Sequence, residues 1–127
     1  MDTGKSALGL DGNIAAALGY PIGIIAIICL VMEKDNRFVK FHALQSILYH
    51  VAAAIVFVAI VVILAILMIV LSLISSTLAA LSSLLWLLYM LAIIAYIIGL
   101  IYTAVKAYNG EKYMLPVVGN LAEKWIK

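Results

Sequence analysis

From Phe41 to Val105 the chain has no Asp, Glu, Lys or Arg, and between Pro21 and Pro116 it has no proline. A soluble domain carries charge on roughly a quarter of its residues and needs polar surface to cover its core. Here 11% of 127 residues are charged and 68% are apolar, so the solvent this sequence expects is lipid. Cysteine is nearly missing too. Cys29 stands alone, which excludes an intrachain disulfide, and inside an apolar run it reads as a small packing residue. The net charge of +2 comes with no dense Lys/Arg cluster, so a nucleic-acid partner is excluded.

What is there is long apolar runs, parsed by the charges between them. Gly12 to Met32 is uncharged and matches the ~20 residues that cross ~30 Å of hydrocarbon. Phe41 to Val105 is too long for one crossing and must fold back. The hydroxyl cluster Ser72, Ser75, Ser76, Thr77, Ser82 and Ser83 marks the turn, because Val51 to Leu71 has no Gly, Pro or hydroxyl residue. The expectation is one all-α integral membrane domain, a bundle of three transmembrane helices at about 13–32, 41–73 and 79–107. Three crossings within 41–105 would leave almost nothing for turns, so four spans fit worse. The first span is too long, and its leader too acidic, for a cleaved signal peptide.

Three spans put the termini on opposite sides. Lys5 is the one basic residue before the first span, whereas Lys34, Arg37, Lys40, Lys106, Lys112, Lys124 and Lys127 fall in the first loop and the tail. The positive-inside rule then sets the amino terminus outside and the carboxyl terminus in the cytoplasm of a multi-pass protein in the cell membrane.

The second helix opens with a polar stripe. At 100° per residue His42, Gln45, Ser46, Tyr49 and His50 share one side of the helix, and polar groups at membrane depth turn toward the bundle interior. Two readings stay open: interhelical hydrogen-bonding, or a transport or proton-handling path. His42 and His50 are ~12 Å apart along the axis, too far for shared metal ligation. No metal motif, cofactor motif or catalytic set occurs, and every acidic residue lies outside the expected spans, so no enzyme is expected.

Small residues recur at Ala15, Gly19 and Gly23, with Pro21 between the glycines. They suit close helix packing, a homodimer seam or a hinge. The loop from Glu33 to Lys40 is charge-mixed and suited to cytoplasmic headgroups, and Arg37 and Lys40 can meet an anionic group. In the third span Trp86, Tyr89, Tyr102 and Tyr108 read as interfacial aromatics. After Asn109-Gly110 and Pro116, the tail at 108–127 sets Val117, Val118, Leu121 and Trp125 on one side of a short interfacial amphipathic helix.

Two stretches carry a resemblance. EKDNRFVKFHALQS at 33–46 and AYNGEKYMLPVVGNLAEKW near the end resemble signatures of small Tic-twenty-like membrane proteins of bacteria and archaea. LGLDGNIAAALGY near the start fits as well, so the resemblance covers nearly the whole chain. The pattern maps onto Asn36, Arg37, Phe38, Phe41, His42, Gln45 and Ser46, with Lys40 among them, and onto Leu115, Pro116 and Gly119. It implies kinship to an import-channel component of the chloroplast inner envelope, usually drawn with four spans, and brings no catalytic residue. The chain lacks a Ser/Arg-rich transit peptide, which speaks against a plastid. The expected function is a structural, assembly or interaction protein, packing in lipid with itself or a larger membrane partner. The alternative is an oligomeric channel or transporter using the stripe.

Overall fold

A computed structural model describes residues 2–126; the Lys127 charge counted above lies outside the described residues. The elements are α1 (Gly12–Leu18), α2 (Gly23–Met32), α3 (Arg37–Ile74), α4 (Ser76–Ser82), α5 (Leu85–Tyr108) and α6 (Val118–Trp125). The expected first span, 13–32, is not one helix. Pro21 has no N–H to continue the ladder and its ring crowds the preceding turn, so α1 ends at Leu18 and α2 restarts at Gly23. With 7 and 10 residues they are ~10 and ~15 Å long, each well short of ~30 Å of hydrocarbon. The two pack on each other as a hairpin, and a Cβ at Gly19 would lie 3.3 Å from that of Ala26.

Among the described residues two stretches are long and apolar enough to cross a bilayer, Arg37–Ile74 and Ser76–Tyr108, where three were expected. α3 starts four residues earlier than expected because Asn36 caps it: its Oδ1 accepts the Val39 N–H at 3.1 Å. The break between α3 and α4 falls inside the hydroxyl cluster. Ser75 adopts an extended backbone and its Oγ accepts the Thr77 N–H at 3.2 Å, starting α4.

The chain divides into two compact units, Ala52–Ile98 and a second made of Met1–Val51 with Gly99–Lys127. In the Ala52–Ile98 unit, the Phe57 ring meets Tyr89 and Tyr96 edge to face at 5.7 and 5.6 Å. Trp86 Nε1–H donates to Met68 Sδ at 2.9 Å. The Trp86 and Tyr89 rings, expected as interfacial markers, here join α3 to α5 within that unit.

The other unit holds three apolar clusters. Ala15, Ala26 and Cys29 of the hairpin pack against Val39 and Ala43 of α3. Ala16 and Tyr20 pack against Ala107 near the end of α5. Ala122 and Ile126 pack against Phe41, with Leu44 and Leu48 at the margin. The amphipathic helix is therefore docked on the first turns of α3 through one face.

Candidate functional site: a polar clasp at the start of the long helix

Three members of the stripe, His42, Gln45 and Ser46, are fully buried at 0% exposure. Hydrocarbon or protein interior makes an unpaired polar group costly, and each of the three side chains makes at least one hydrogen bond. Gln45 Nε2 donates to the Tyr20 hydroxyl at 2.7 Å and to the Tyr113 carbonyl at 3.0 Å. Gln45 Oε1 accepts the Leu115 N–H at 2.9 Å. Since Tyr20 oxygen accepts from Gln45, its own O–H is available to His42 Nδ1, 2.9 Å away, while His42 Nε2 is buried and makes no hydrogen bond among the described residues. The His42 ring is enclosed by Phe38, Phe41 and Tyr20, all edge to face. Ser46 Oγ donates to the Gly19 carbonyl at 2.8 Å, one of the acceptors freed where Pro21 breaks the helix.

Tyr49 and His50 sit further along the same helix and are half-buried. A Cβ at Gly99 would overlap the Tyr49 hydroxyl, so that glycine makes room for the ring. His50 Nδ1 lies 2.7 Å from the Ser46 carbonyl of its own helix. The first three members of the stripe tie the hairpin and the tail to α3.

The loop motif is equally structural in its geometry. Asn36 caps α3 with its oxygen and donates with its nitrogen to the carbonyls of Thr3 at 2.8 Å and Lys5 at 3.1 Å. Glu33, nearly buried, accepts the N–H groups of Ala7 at 2.7 Å and Asn36 at 3.1 Å. Asn13 Nδ2 donates to the Tyr108 carbonyl at 2.7 Å. The amino-terminal segment therefore lies against the 33–36 loop and the end of α5. The expectation set this segment across the membrane from that loop; here the two are hydrogen-bonded neighbours.

The tail closes the clasp. Glu123 Oε1 is 3.2 Å from Arg37 and its Oε2 is 2.5 Å from Lys112. The Lys112 hydrogen bond, then the charges of Lys112 and Arg37, hold the Glu123 carboxyl below the usual carboxylate range, against some desolvation. Lys112 Nζ also stands 4.8 Å over the Phe41 ring. Gly119 lets α6 approach: a Cβ there would come within 2.6 Å of Gln45 Oε1 and 2.9 Å of the Met114 backbone. Leu115 and Pro116 form the arch before it, where the Val118 N–H donates back to the Pro116 carbonyl at 2.8 Å. That i→i+2 bond puts Val117 at φ 66°, ψ −63°, a strained γ-turn for a β-branched residue. Lys40, expected to help receive an anion, is half-buried and forms no ion pair among the described residues.

Sequence reasoning missed Tyr20 and Glu33. Both had a signal: a tyrosine beside a mid-run proline, and an acid at the end of an apolar run. Among the described residues no group of three or more His, Cys, Asp or Glu side chains gathers as a metal site.

Two long apolar helices and a compact polar clasp define a small helical membrane protein. The chain belongs to the MamF/MmsF family, described as the magnetosome magnetite crystal formation protein family, whose pattern matches residues 7–122. It is 41% identical over 123 residues to a UPF0132 membrane protein of Methanocaldococcus jannaschii, covering 96% of this chain and 94% of that one. A second UPF0132 membrane protein of that organism is 34% identical over 122 residues, 95% of this chain and 74% of the relative. One from Archaeoglobus fulgidus is 34% identical over 121 residues, 90% and 94% respectively. No solved structure matches. These findings overturn the Tic-twenty-like resemblance, since neither the family nor any of these relatives points to it. The residues that suggested it, Asn36 to Ser46 and Leu115 to Gly119, are the ones that build the clasp.

Proposed function

We propose that this chain is a non-catalytic assembly or interaction protein of a prokaryotic cell membrane, crossing it twice through α3 and α4–α5 with both termini cytoplasmic. The closure of the Gln45 carboxamide carries the assembly reading. Both of its N–H donors and its oxygen are engaged within the chain, so the stripe serves to hold the hairpin and tail in place. The outer flanks of the long helices, by contrast, expose apolar side chains such as Ile55, Ile63 and Leu87 to lipid or to other helices.

Orientation follows from charge. All eight Lys and Arg residues lie within 1–40 or 106–127, and the hydrogen bonds of Asn36, Gln45 and Asn13 join those segments on one side. The positive-inside rule makes that side cytoplasmic. The family is described by magnetite crystal formation; for this chain we propose a membrane-assembly role only, and no residue is assigned to a mineral.

Purified protein in liposomes is expected to give no ion or proton flux above empty liposomes. Flux that disappears in His42→Ala or Gln45→Ala would sink this reading in favour of an oligomeric channel or transporter. Crosslinking in native membranes is expected to capture a second copy or a larger membrane protein.

A further inference from the structure

We infer that the α1–α2 hairpin is a half-bilayer wedge, inserted among the acyl chains of the charged-side leaflet, and that it makes the protein favour membrane curved convex toward that side. The inference rests on the topology proposed above.

Depth is set by one hydrogen bond. The hairpin turns at Gly19, and the Gly19 carbonyl is held by Ser46 Oγ. Ser46 lies nine residues into α3, ~14 Å from its start. Both ends of the hairpin return to the charged rim: Asn13 bonds the Tyr108 carbonyl, and Glu33 bonds Ala7 and Asn36. The hairpin therefore enters and leaves on one side and reaches no more than about half of the ~30 Å hydrocarbon layer.

Its outer surface fits acyl chains. On α2 the inward positions Ala26 and Cys29 pack on α3, while Ile24, Ile27, Val31 and Met32 point away, with Val31 76% exposed and Ile24 65%. No charged residue occurs from Gly12 to Met32, so nothing on this face seeks water. Ile24 is near the turn and Val31 near the rim, so the row runs from the deeper layer to the headgroups beside a spanning helix.

Apolar helices that fill only one leaflet expand that leaflet alone. Such shallow insertion is sensitive to curvature, because a convex leaflet has the looser packing that admits it. The occupant of the α2 face is thus lipid, and the consequence is sorting to membrane convex on the cytoplasmic side.

The test uses the full chain in giant vesicles from which narrow membrane tubes are drawn. With the charged side outward, its density in the tube is expected to exceed that in the flat membrane, and with the charged side inward to fall below it. Equal densities in both orientations overturn the inference. Ile27→Asn with Val31→Asn is expected to bring the ratio to unity; a ratio unchanged from the parent also overturns it. Fluorophores at Ile24→Cys and Val31→Cys, each with Cys29→Ala, read insertion in otherwise intact protein. Both are expected to be quenched by nitroxide-bearing lipids, Ile24 by deeper labels than Val31, and absence of quenching at both sites overturns it. A cysteine at Lys124 modified from outside intact cells would defeat the topology and this inference together. Cytoplasmic termini without sorting defeat the wedge alone.

Discussion

Gln45 and Leu115 are 70 positions apart in the chain, yet the Leu115 N–H donates to Gln45 Oε1 at 2.9 Å. That bond, with the two that Gln45 Nε2 makes to Tyr20 and Tyr113, joins three separate segments at one side chain. Removing a buried hydrogen-bond partner costs about 1–3 kcal/mol, because the groups left behind stay desolvated. Gln45→Leu is expected to destabilise the protein by about that amount. It should also make the bonds around Lys112 cleavable by protease in detergent under conditions that leave the parent intact. A tail equally protected in the variant would contradict the clasp.

Gly119 and Gly99 both face atoms that a Cβ would overlap, but the consequences differ. At Gly99 the obstacle is the tip of the Tyr49 side chain, which can rotate. At Gly119 part of it is the Met114 backbone, which cannot move without shifting the arch. Gly119→Ala is therefore expected to cost about 1–3 kcal/mol, the range for overpacking, and Gly99→Ala less. Thermal unfolding of the two variants in detergent tests the order, and the reverse order counts against the docked α6.

Val117 holds a positive φ that L-residues reach at a cost of about 1–2 kcal/mol. It is also exposed, so little packing is lost on truncation. Val117→Gly is expected to raise the unfolding temperature, whereas Val118→Gly, at a buried neighbour, is expected to lower it. A fall in both would mean that the strain at 117 is not there.

Glu123 gives the clasp a pH dependence. Its carboxyl is held below the usual range in the folded state, first by the Lys112 hydrogen bond and then by the Lys112 and Arg37 charges. A depressed folded value means the contribution is present above the unfolded carboxylate pKa and is lost as pH falls through the folded one. Docking of α6, followed by fluorescence of Trp125 with Trp86→Phe, is expected to weaken on acidification below the usual carboxylate range. High salt is expected to weaken it at neutral pH, since the pairs are partly exposed. Glu123→Gln is expected to flatten both responses.

Much of this protein is legible in one dimension. The uncharged run from 41 to 105 determines a lipid environment, because no arrangement of those residues could cover a core in water. The seryl cluster determines the fold-back, since Ser75 starts a new helix there with its own side-chain cap. The period of the stripe shows that His42, Gln45 and Ser46 share a face, and the tail's spacing marks a helix. The side that helix buries, however, holds Val118, Gly119 and Ala122, while Val117 and Trp125, expected on the apolar side, are exposed.

Tertiary structure decided the rest. Gly12 to Met32 has the length and apolarity of a span, and only the packing of α1 on α2 reveals a hairpin, because Pro21 permits a kink or a reversal with equal local logic. The amino-terminal segment then lies against the 33–36 loop. The purpose of the stripe was undetermined for a related reason. Its partners, Tyr20, the Gly19 carbonyl and Leu115, stand 25, 27 and 70 residues away. Helical periodicity reports which side chains point the same way, but a hydrogen bond across segments depends on which backbone the fold brings opposite them.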